Sequence, residues 1–320
     1  MMVKIVVLDG FCLNPGDLSW GALGGITDNV IIYDRTPKEL VVERAKGADI
    51  IILNKVVIDK ETIDSLPKLK YIGVLATGYN VVDCDYAAKK GIVVTNIPAY
   101  STESVAQHIF GLLIEVASGI GEHNLSVKSG DWERCPDFCY FNKRLIELHG
   151  KTMGIIGMGR IGQRVKDIAL AFGMKVIAYN KSRTGKGEGF EYVTLEHLYR
   201  NSDVISLNCP LTKDNQGMIN ASAISLMKES AIIINASRGG LINERDLANA
   251  LNSGRIAGAG LDVLSVEPPT SDNPLLKAKN TVITPHIAWA TKEARSRLME
   301  IAVANIKAYL DGKPVNVVNK

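Results

Sequence analysis

The amino-acid sequence predicts an α/β protein made of two doubly wound parallel sheets. Short runs of β-branched residues alternate with stretches of helical spacing through both halves of the chain, and this alternation implies parallel strands covered by helices on both faces. A G-x-G-x-x-G sequence follows one apolar run in the second half and opens a helical stretch. At roughly 150 residues per domain, the 320 residues leave room for about two domains.

The first 97 residues carry the elements of the first sheet. Apolar runs of strand length are separated by polar stretches, three of which repeat their apolar residues at three- and four-residue spacing. We predict strands over residues 4–8, 30–33, 50–53, 71–75 and 92–95, and helices over residues 37–46, 60–66 and 84–90.

A long helix and a second α/β unit follow. Helical spacing predicts one helix from residue 101 to about residue 128, and the absence of any period predicts an irregular connection over residues 129–148. Gly254 is a candidate for the left-handed residue that ends a helix. In this half we predict strands over residues 152–156, 175–179, 203–207, 231–235, 256–261 and 281–284, and helices over residues 160–172, 195–200, 221–227, 244–252 and 292–310.

Composition and charge exclude several classes of function. Apolar residues make up 46% of the chain and charged residues 22%, which is ordinary for a globular protein. The net charge of +3 is too small for the basic stripe of a nucleic-acid-binding protein. No apolar run approaches the roughly 18 to 20 residues that span a bilayer, and the first residues show no signal-peptide cleavage site. We expect small-molecule chemistry in the cytoplasm, without nucleic-acid or membrane partners.

The cysteines predict neither a disulfide framework nor a metal site. The five cysteines are odd in number and scattered, so we expect reduced thiols. Cys135 and Cys139 have the spacing that could start a zinc site, but no second cysteine or histidine pair stands nearby, and structural zinc takes four ligands.

The glycine motif predicts a dinucleotide site. Gly157 permits the tight turn after the strand, Gly159 lets a pyrophosphate approach the backbone, and Gly162 lets the helix pack on the strand. The helix that starts at Arg160 and Ile161 directs its amides toward the phosphates.

A rival phosphate motif in the same region is incomplete. Gly150, Lys151 and Thr152 form the end of a P-loop. The glycine that a P-loop also needs would stand at position 145, which is Leu145, so nucleoside triphosphate hydrolysis is not expected.

The end of the second strand of this unit favours NADP over NAD. An NAD site places an acidic residue about 20 residues into the unit to bind the ribose 2′-hydroxyl, and residues 168–187 contain none. Cations and hydroxyls stand there instead, at Asn180, Lys181, Ser182, Arg183 and Thr184. A charge-assisted contact from such a cation to a 2′-phosphate stabilises it. The alternative is that Lys181 and Arg183 are solvated loop charges while Asn180 bonds a ribose.

A catalytic constellation is spread over three further strand ends. Arg238, Glu267 and His286 each follow an apolar strand, and the carboxyl ends of parallel strands line the ligand crevice of an open sheet. Reduction of a 2-keto acid needs a cation for the carboxylate, a hydride donor and an acid for the new alkoxide. Glu267 would bond the far nitrogen of His286 and fix its tautomer. The other histidines lack this setting and are expected to be surface or core residues: His108, His123, His149 and His197.

These motifs resemble those of the D-isomer-specific 2-hydroxyacid dehydrogenases, in particular the glycerate dehydrogenase and hydroxypyruvate reductase branch. The resemblance covers nearly the whole chain. It rests on the glycine loop at 157–162, on Cys209-Pro210-Leu211-Thr212, on residues 235–239 and 258–263, on Glu267-Pro268 and on Pro285-His286.

The resemblance implies roles for individual residues. Arg238 would orient the carbonyl and carboxylate of the substrate, His286 would act as general acid/base, and Glu267 would be its partner. The substrate carboxylate would meet the loop Ala76-Thr77-Gly78, and Trp289 would restrict the pocket to a short side chain. The cofactor would contact the glycine loop, the 180–183 segment, Cys209, Pro210, Ala236, Ser237, Arg238, Asp262, His286 and Ala288.

The resemblance also implies an inserted arrangement of the two domains. A Rossmann cofactor domain over residues 99–285 would interrupt a flavodoxin-like substrate domain formed by residues 1–98 and 286–320. The helix after Ser101 would form a homodimer. Asn180 stands where NAD-dependent relatives have Asp, which again favours NADP, with NAD as the alternative.

The expected reaction is hydride transfer between a nicotinamide cofactor and a short 2-keto or D-2-hydroxy acid. Hydroxypyruvate, which gives D-glycerate, and glyoxylate, which gives glycolate, are the leading substrates. The alternatives are a cofactor-sensing protein like the corepressors that share this fold and a hydrolase with a tightly bound cofactor.

Overall fold

The computed structural model describes residues 3–319 and divides the chain into two compact units. One unit is Met1–Ser101 together with Ala290–Lys320, and the other is Thr102–Trp289. The predicted domain limits fall a few residues before these divisions, so His286 lies in the second unit and not in the returning segment of the first. Met1, Met2 and Lys320 of the predicted substrate domain lie outside the described residues.

The first unit is built on a five-stranded parallel sheet in the order β2-β1-β3-β4-β5, which is the flavodoxin-like strand order. Its central strands are buried on both faces, which explains why they read as continuous apolar runs. The elements are β1 (Ile5–Val7), α1 (Gly21–Gly24), β2 (Val30–Ile32), a 3-10 turn (Lys38–Leu40), α2 (Val41–Ala45), β3 (Ile50–Leu53), α3 (Lys60–Asp64), β4 (Tyr71–Val74), α4 (Cys84–Lys89) and β5 (Val93–Thr95).

The second unit is built on an eight-stranded sheet, whose strands run in parallel except for one edge strand. Its elements are α5 (Thr102–Ser118), α6 (Ile120–Lys128), β6 (Thr152–Ile156), α7 (Arg160–Ala171), β7 (Lys175–Tyr179), β8 (Gly185–Gly187), β9 (Phe190–Tyr192), α8 (Leu195–Asn201), β10 (Val204–Leu207), α9 (Ala221–Leu226), β11 (Ile232–Asn235), a 3-10 turn (Gly239–Leu241), α10 (Glu244–Asn252), β12 (Gly258–Leu261), a 3-10 turn (Pro274–Lys277) and β13 (Thr281–Ile283).

The strand order of the second sheet is β13-β12-β11-β10-β6-β7-β9-β8. Counted from β6, with the edge strand β8 left out, it follows the Rossmann pattern, in which the chain runs to one side of the first strand and then returns to the other. The predicted fold class, two doubly wound parallel sheets of Rossmann and flavodoxin-like type, is therefore confirmed. Gly254 has φ +73° and ends α10 as predicted.

The single helix predicted over residues 101–128 is two helices. Gly119 adopts the left-handed conformation (φ +57°), which a right-handed helix cannot continue through, and the axes of α5 and α6 differ by 58°. Among residues 3–319 no single helix is long and apolar enough to cross a membrane, and this bent pair passes that test only when its two helices are taken together. The helix α5 packs in the core of the second unit.

The antiparallel hairpin of β8 and β9 was not predicted. Gly185, Lys186 and Gly187 carry no apolar alternation, so the sequence shows no strand pattern at β8. Gly189 makes the turn with φ +74°, and β9 joins the main sheet by pairing with β7. The hairpin thereby covers the edge of the sheet that β7 would otherwise expose.

The closing helix α11 (Lys292–Leu310) belongs to the first unit. Its buried Arg295 donates to the carbonyl of Leu13 at 2.8 Å and pairs with the carboxylate of Asp17 at 2.7 Å. Asn305 donates to the carbonyl of Asn96 at 3.0 Å. These polar contacts attach the returning segment to the first 101 residues.

Candidate active site

Three neighbouring strands of the second sheet end at the predicted catalytic segments. The strands β11, β12 and β13 are adjacent and parallel, so their carboxyl ends share one edge of the sheet. Arg238 follows β11, Asp262 follows β12 and His286 follows β13. The topology therefore gathers loops that are distant in the sequence.

His286 and Glu267 form a close pair at this edge. Nδ1 of His286 lies 2.6 Å from Oε2 of Glu267, and Oε1 of Glu267 accepts from the amide of Leu264 at 3.0 Å. The carboxylate assigns the proton to Nδ1, so Nε2 is the ring nitrogen that can exchange a proton with a ligand. About a third of each side chain is exposed, 31% for His286 and 36% for Glu267, which keeps the pair accessible.

The backbone of His286 is held in an unfavourable conformation. Its φ is +55°, and its amide donates to the carbonyls of Asp262 at 2.8 Å and Thr284 at 2.9 Å. Its own carbonyl accepts from Nε1 of Trp289 at 2.8 Å. Left-handed conformations of non-glycine residues persist where the surrounding bonds over-determine them. These contacts fix the direction in which the imidazole leaves the backbone.

Asp262 is a buried carboxylate that organises the segment carrying His286. Its two oxygens accept from the hydroxyl of Thr284 at 2.6 Å and from the amides of Ile287 at 2.9 Å and Ala288 at 2.8 Å. Burial alone would raise the pKa of Asp262, but its hydrogen bonds, with His108 first among them, hold the pKa below its ordinary value. Asp262 therefore stays ionised.

His108, which the sequence predicts to be a surface or core residue, contacts the Asp262 network. Its Nε2 lies 2.8 Å from the hydroxyl of Thr284 and 3.4 Å from Oδ1 of Asp262. The imidazole thus joins the network below His286 from helix α5. It could not be found from the sequence, because its partners stand more than 150 residues away in the chain.

Arg238 stands on a loop fixed by the buried Asn235. The amide group of Asn235 donates to the carbonyl of Arg238 at 2.9 Å, and its oxygen accepts from the amide and the hydroxyl of Ser237 at 3.0 and 2.9 Å. A Cβ atom at Gly239 would come within 1.9 Å of the backbone carbon of Leu264. The Arg238 loop therefore packs directly on the segment that leads to Glu267, while the guanidinium itself is exposed.

The glycine turn after β6 has the geometry of a dinucleotide cradle. Gly157 has φ +97°, and a Cβ atom there would come within 2.7 Å of the backbone of Asn208. A Cβ atom at Gly162 would come within 2.2 Å of the carbonyl of Gly157, whereas one at Gly159 would meet no atom within 4 Å. Backbone is thus open to a ligand at Gly159, next to the amides of Arg160 and Ile161. Asn208 Oδ1 is buried and has no hydrogen-bond partner among residues 3–319.

The strand end of β7 carries the predicted 2′-phosphate residues. Oδ1 of Asn180 accepts from the amide of Met158 at 3.0 Å, so its oxygen supports the glycine turn. Nζ of Lys181 pairs with Oδ2 of Asp214 at 2.8 Å. Arg183 and Ser182 are exposed. The loop that begins with Cys209 and Pro210 therefore reaches across to this strand end through Asp214, a partner the sequence reasoning did not name.

In the first unit, Ala76, Thr77 and Gly78 follow β4. The carbonyl of Ala76 accepts from the amide of Ile97 at 3.0 Å, and the hydroxyl of Thr77 donates to the carbonyl of Ile97 at 2.9 Å. The three amides of this loop enter no hydrogen bond within the described part of the chain. The loop therefore presents free N–H groups at the carboxyl end of its sheet.

Comparison with known proteins identifies the family. The family model described as D-isomer specific 2-hydroxyacid dehydrogenase, NAD binding domain, matches residues 110–288. The chain belongs to this family. A hydroxypyruvate reductase of Blautia hydrogenotrophica is 53% identical over 323 residues, covering 99% of this chain and 100% of the relative. A glycerate dehydrogenase of Methylorubrum extorquens is 44% identical over 285 residues, covering 88% of this chain and 89% of the relative.

A solved structure of another reductase is similar to this chain over nearly its whole length. That of an acyclic imino acid reductase in complex with NADPH and D-Arg has a TM-score of 0.86 and 36% identity, and the match covers 99% of this chain and 100% of that one. The chain is therefore an oxidoreductase that transfers hydride between a nicotinamide cofactor and 2-keto or 2-hydroxy acids. The corepressor-like alternative has no support among these proteins. No group of three or more His, Cys, Asp or Glu residues within 3–319 could hold a metal ion.

Proposed function

We propose that this dehydrogenase reduces hydroxypyruvate to D-glycerate, with glyoxylate as a second substrate. The observation that carries the proposal is the pair of His286 and Glu267, 2.6 Å apart at the sheet edge that also carries Arg238. The names of the similar enzymes, hydroxypyruvate reductase and glycerate dehydrogenase, support the choice of substrate.

In the proposed mechanism the side chains of the second unit hold the substrate and deliver a proton. The guanidinium of Arg238 binds the carboxylate and the carbonyl oxygen of the 2-keto acid through paired N–H groups. A nicotinamide cofactor, when bound, supplies the hydride that reduces the carbonyl carbon. Nε2 of His286 protonates the oxygen on which negative charge develops, and Glu267 stabilises the imidazolium and holds its tautomer.

The residues of the glycine turn and of three strand ends fit the cofactor. The amides after Gly159 would hold the pyrophosphate, and the buried oxygen of Asn208 would accept from a donor that residues 3–319 do not supply. The nicotinamide end would lie by Asp262, His286 and Ala288 with Ala236, Ser237 and Arg238, and the adenosine end by Cys209 and Pro210.

For cofactor choice we propose NADP, with NAD as the alternative. Lys181, Ser182 and Arg183 are exposed at the end of β7 and offer cations and a hydroxyl to a 2′-phosphate. Arg183→Ala should lower the preference for NADPH, measured as the ratio of kcat/KM with NADPH to that with NADH. A wild-type preference for NADH that Arg183→Ala leaves unchanged would contradict the proposal.

In the first unit, we propose that the amides of Ala76, Thr77 and Gly78 receive the substrate carboxylate. Their free N–H groups support this role. Trp289, fixed through its bond to the carbonyl of His286, would limit the size of the substrate side chain. The inserted arrangement of a cofactor domain within a substrate domain is proposed with these assignments.

We also propose a homodimer in the cytoplasm. Large apolar side chains are exposed on α6 and on the irregular segment after it, and a subunit interface would cover such side chains. They are Ile120, Leu125, Val127, Trp132, Phe138, Phe141 and Leu145. Cys12, Cys84, Cys135, Cys139 and Cys209 are all free, which suits a reducing compartment. Light scattering should give the mass of two chains.

A panel of short 2-keto acids with both cofactors tests the function. We expect oxidation of the reduced cofactor with hydroxypyruvate and glyoxylate, and a loss of kcat of about 100-fold or more in His286→Gln, because a general acid contributes about 10² to 10⁴ in rate. His197→Gln is the control, since that imidazole is exposed on α8. Full activity in His286→Gln would overturn the acid–base assignment.

A further inference from the structure

The segment that carries Glu267 has little regular structure to hold it. It runs from the buried Asp262 at the end of β12 to the 3-10 turn that starts at Pro274, and residues 265–272 within it are exposed. Glu267 must nevertheless keep its carboxylate 2.6 Å from the imidazole of His286. A contact from outside the segment would add to the bond from the Leu264 amide in holding this geometry.

Glu244 supplies such a contact on both sides of Glu267. Its Oε1 accepts from the amide of Ser265 at 2.7 Å, and its Oε2 accepts from the hydroxyl of Ser265 at 2.8 Å. Oε2 also accepts from the side-chain amide of Asn273 at 2.9 Å. Asn273 is buried, and its oxygen caps the 3-10 turn through the amide of Leu275. One carboxylate therefore closes the segment into a loop whose two ends are fixed.

The position of Glu244 links this loop to the Arg238 loop. Glu244 is the first residue of α10, where the helix dipole favours a negative charge. The short stretch from Arg238 to Glu244 also contains Gly239, which packs against the backbone of Leu264. Displacement of the Ser265 segment would therefore disturb the surroundings of both the cation and the acid–base pair.

We propose that Glu244 is a positioning residue for catalysis, which acts by holding Glu267 against His286. This inference rests on the proposed acid–base role of that pair. Glu244 touches neither reacting group, and its carboxylate accepts three hydrogen bonds, two from Ser265 and one from Asn273. Its removal lets the Glu267 carboxylate move away from Nδ1, and misplacement by about 1 Å costs up to about 100-fold in rate.

The test compares Glu244→Gln with the double variant Glu244→Gln/Asn273→Asp. In the single variant the amide oxygen still accepts from the amide of Ser265, while the NH₂ donates to the hydroxyl oxygen of Ser265 and faces the NH₂ of Asn273, so two donors oppose each other. The second substitution replaces that donor by an acceptor and restores the bond. We expect kcat with hydroxypyruvate to fall about tenfold in Glu244→Gln and to recover largely in the double variant, with the KM for cofactor unchanged.

The split between kcat and KM separates positioning from a general loss of structure. In Glu244→Gln the loss should appear in kcat and not in the KM for cofactor, because the contact that is lost positions the acid–base pair. Glu229→Gln, an exposed residue of the same unit, should match the wild type in both readouts. Wild-type kcat in Glu244→Gln, or no recovery in the double variant, would overturn the inference.

Failure of the underlying acid–base role gives a different result. If His286→Gln keeps wild-type turnover, the assignment of the pair itself is wrong. If His286→Gln is inactive while Glu244→Gln behaves as the wild type, only the role of Glu244 is wrong. Unfolding midpoints of all variants, measured with and without the cofactor, show whether lost activity follows lost stability.

Discussion

At the scale of single residues, Asp262 contacts four groups, one on helix α5 and three in the segment after β13. The carboxylate accepts from Thr284, Ile287 and Ala288 and lies by the imidazole of His108. An amide in its place would turn a donor toward these donors, and an unpaired buried group costs about 1 to 3 kcal/mol. We expect Asp262→Asn to lower the free energy of unfolding by about 3 kcal/mol near neutral pH, measured by urea denaturation.

The same bonds make that contribution depend on pH. The pKa of Asp262 in the folded protein lies below its ordinary value of 3.8, so its contribution is present above pH 3.8 and is lost as the pH falls through the lower folded value. The difference in stability between wild type and Asp262→Asn should shrink on acidification. Asp137→Asn, at an exposed position, is the control. A difference that stays constant down to about pH 3 would contradict this account.

Asp214 is expected to influence the preference between NADPH and NADH through a single contact. Its carboxylate lies 2.8 Å from Nζ of Lys181, and this partner holds the pKa of Asp214 below its ordinary value. At the proposed 2′-phosphate position, the carboxylate of Asp214 would pair with the Lys181 ammonium that the phosphate would otherwise contact. It would also repel the phosphate through its own negative charge. Asp214→Asn should raise the ratio of kcat/KM with NADPH to that with NADH by about two- to fivefold, the size of an exposed charge contact.

A matched control for this substitution is Asp167→Asn. Asp167 also pairs with a lysine, Lys166 at 2.9 Å, but on helix α7 and not at the strand end. Its cofactor ratio should equal that of the wild type, and Lys181→Ala should shift the ratio opposite to Asp214→Asn. A ratio unchanged in both Asp214→Asn and Lys181→Ala would show that the 2′-position lies elsewhere.

At the scale of elements, the break between α5 and α6 can be tested with two glycines. Gly119 has φ +57°, and a Cβ atom there would come within 2.7 Å of the Lys143 side chain, so Gly119→Ala should cost about 1 kcal/mol. Gly111 lies inside α5, and a Cβ atom added there would meet no atom within 4 Å, so Gly111→Ala should gain about 0.5 to 1 kcal/mol. The midpoint of thermal unfolding should therefore fall in Gly119→Ala and rise in Gly111→Ala.

Element prediction succeeded where local pattern decides the structure. The parallel strands other than β9 and the long helices α7, α10 and α11 lie within a few residues of their predicted bounds, because buried β-branched runs and amphipathic periods are local signals. The hairpin of β8 and β9 gave no such signal, since its first strand is a glycine-lysine-glycine sequence that becomes a strand only by pairing. The break at Gly119 was missed because apolar spacing continues across it.

The candidate site also contains residues that the sequence predicts and contacts that it does not predict. Arg238, Glu267 and His286 could be named from the sequence because each follows a strand that the pattern reveals. The supporting contacts of His108 and Glu244 could not, since they join residues 21 to 176 positions apart and leave no trace in local spacing.

At the scale of the whole molecule, the second unit is one continuous segment, Thr102–Trp289. Its two ends lie side by side, because the hydroxyl of Ser104 donates to the carbonyl of Ala288 at 2.5 Å. Helix α5 contributes Val105 and Ile109 to the core that also contains strands of this unit, so the segment carries its own apolar core. A segment with adjacent ends and a separate core is expected to fold alone.

We therefore expect a fragment of residues 102–289 to unfold cooperatively and to bind the reduced cofactor. It should not turn over hydroxypyruvate, because the loop that we propose to receive the substrate carboxylate, Ala76–Gly78, belongs to the other unit. Calorimetric unfolding and quenching of tryptophan fluorescence on cofactor addition measure these properties. A fragment of residues 110–288 is the matched control, since it lacks the buried Val105, Ala106 and Ile109 of α5 and should lose several kcal/mol of stability. Equal stability of the two fragments would mean that the first turns of α5 are not part of the core that stabilises the second unit.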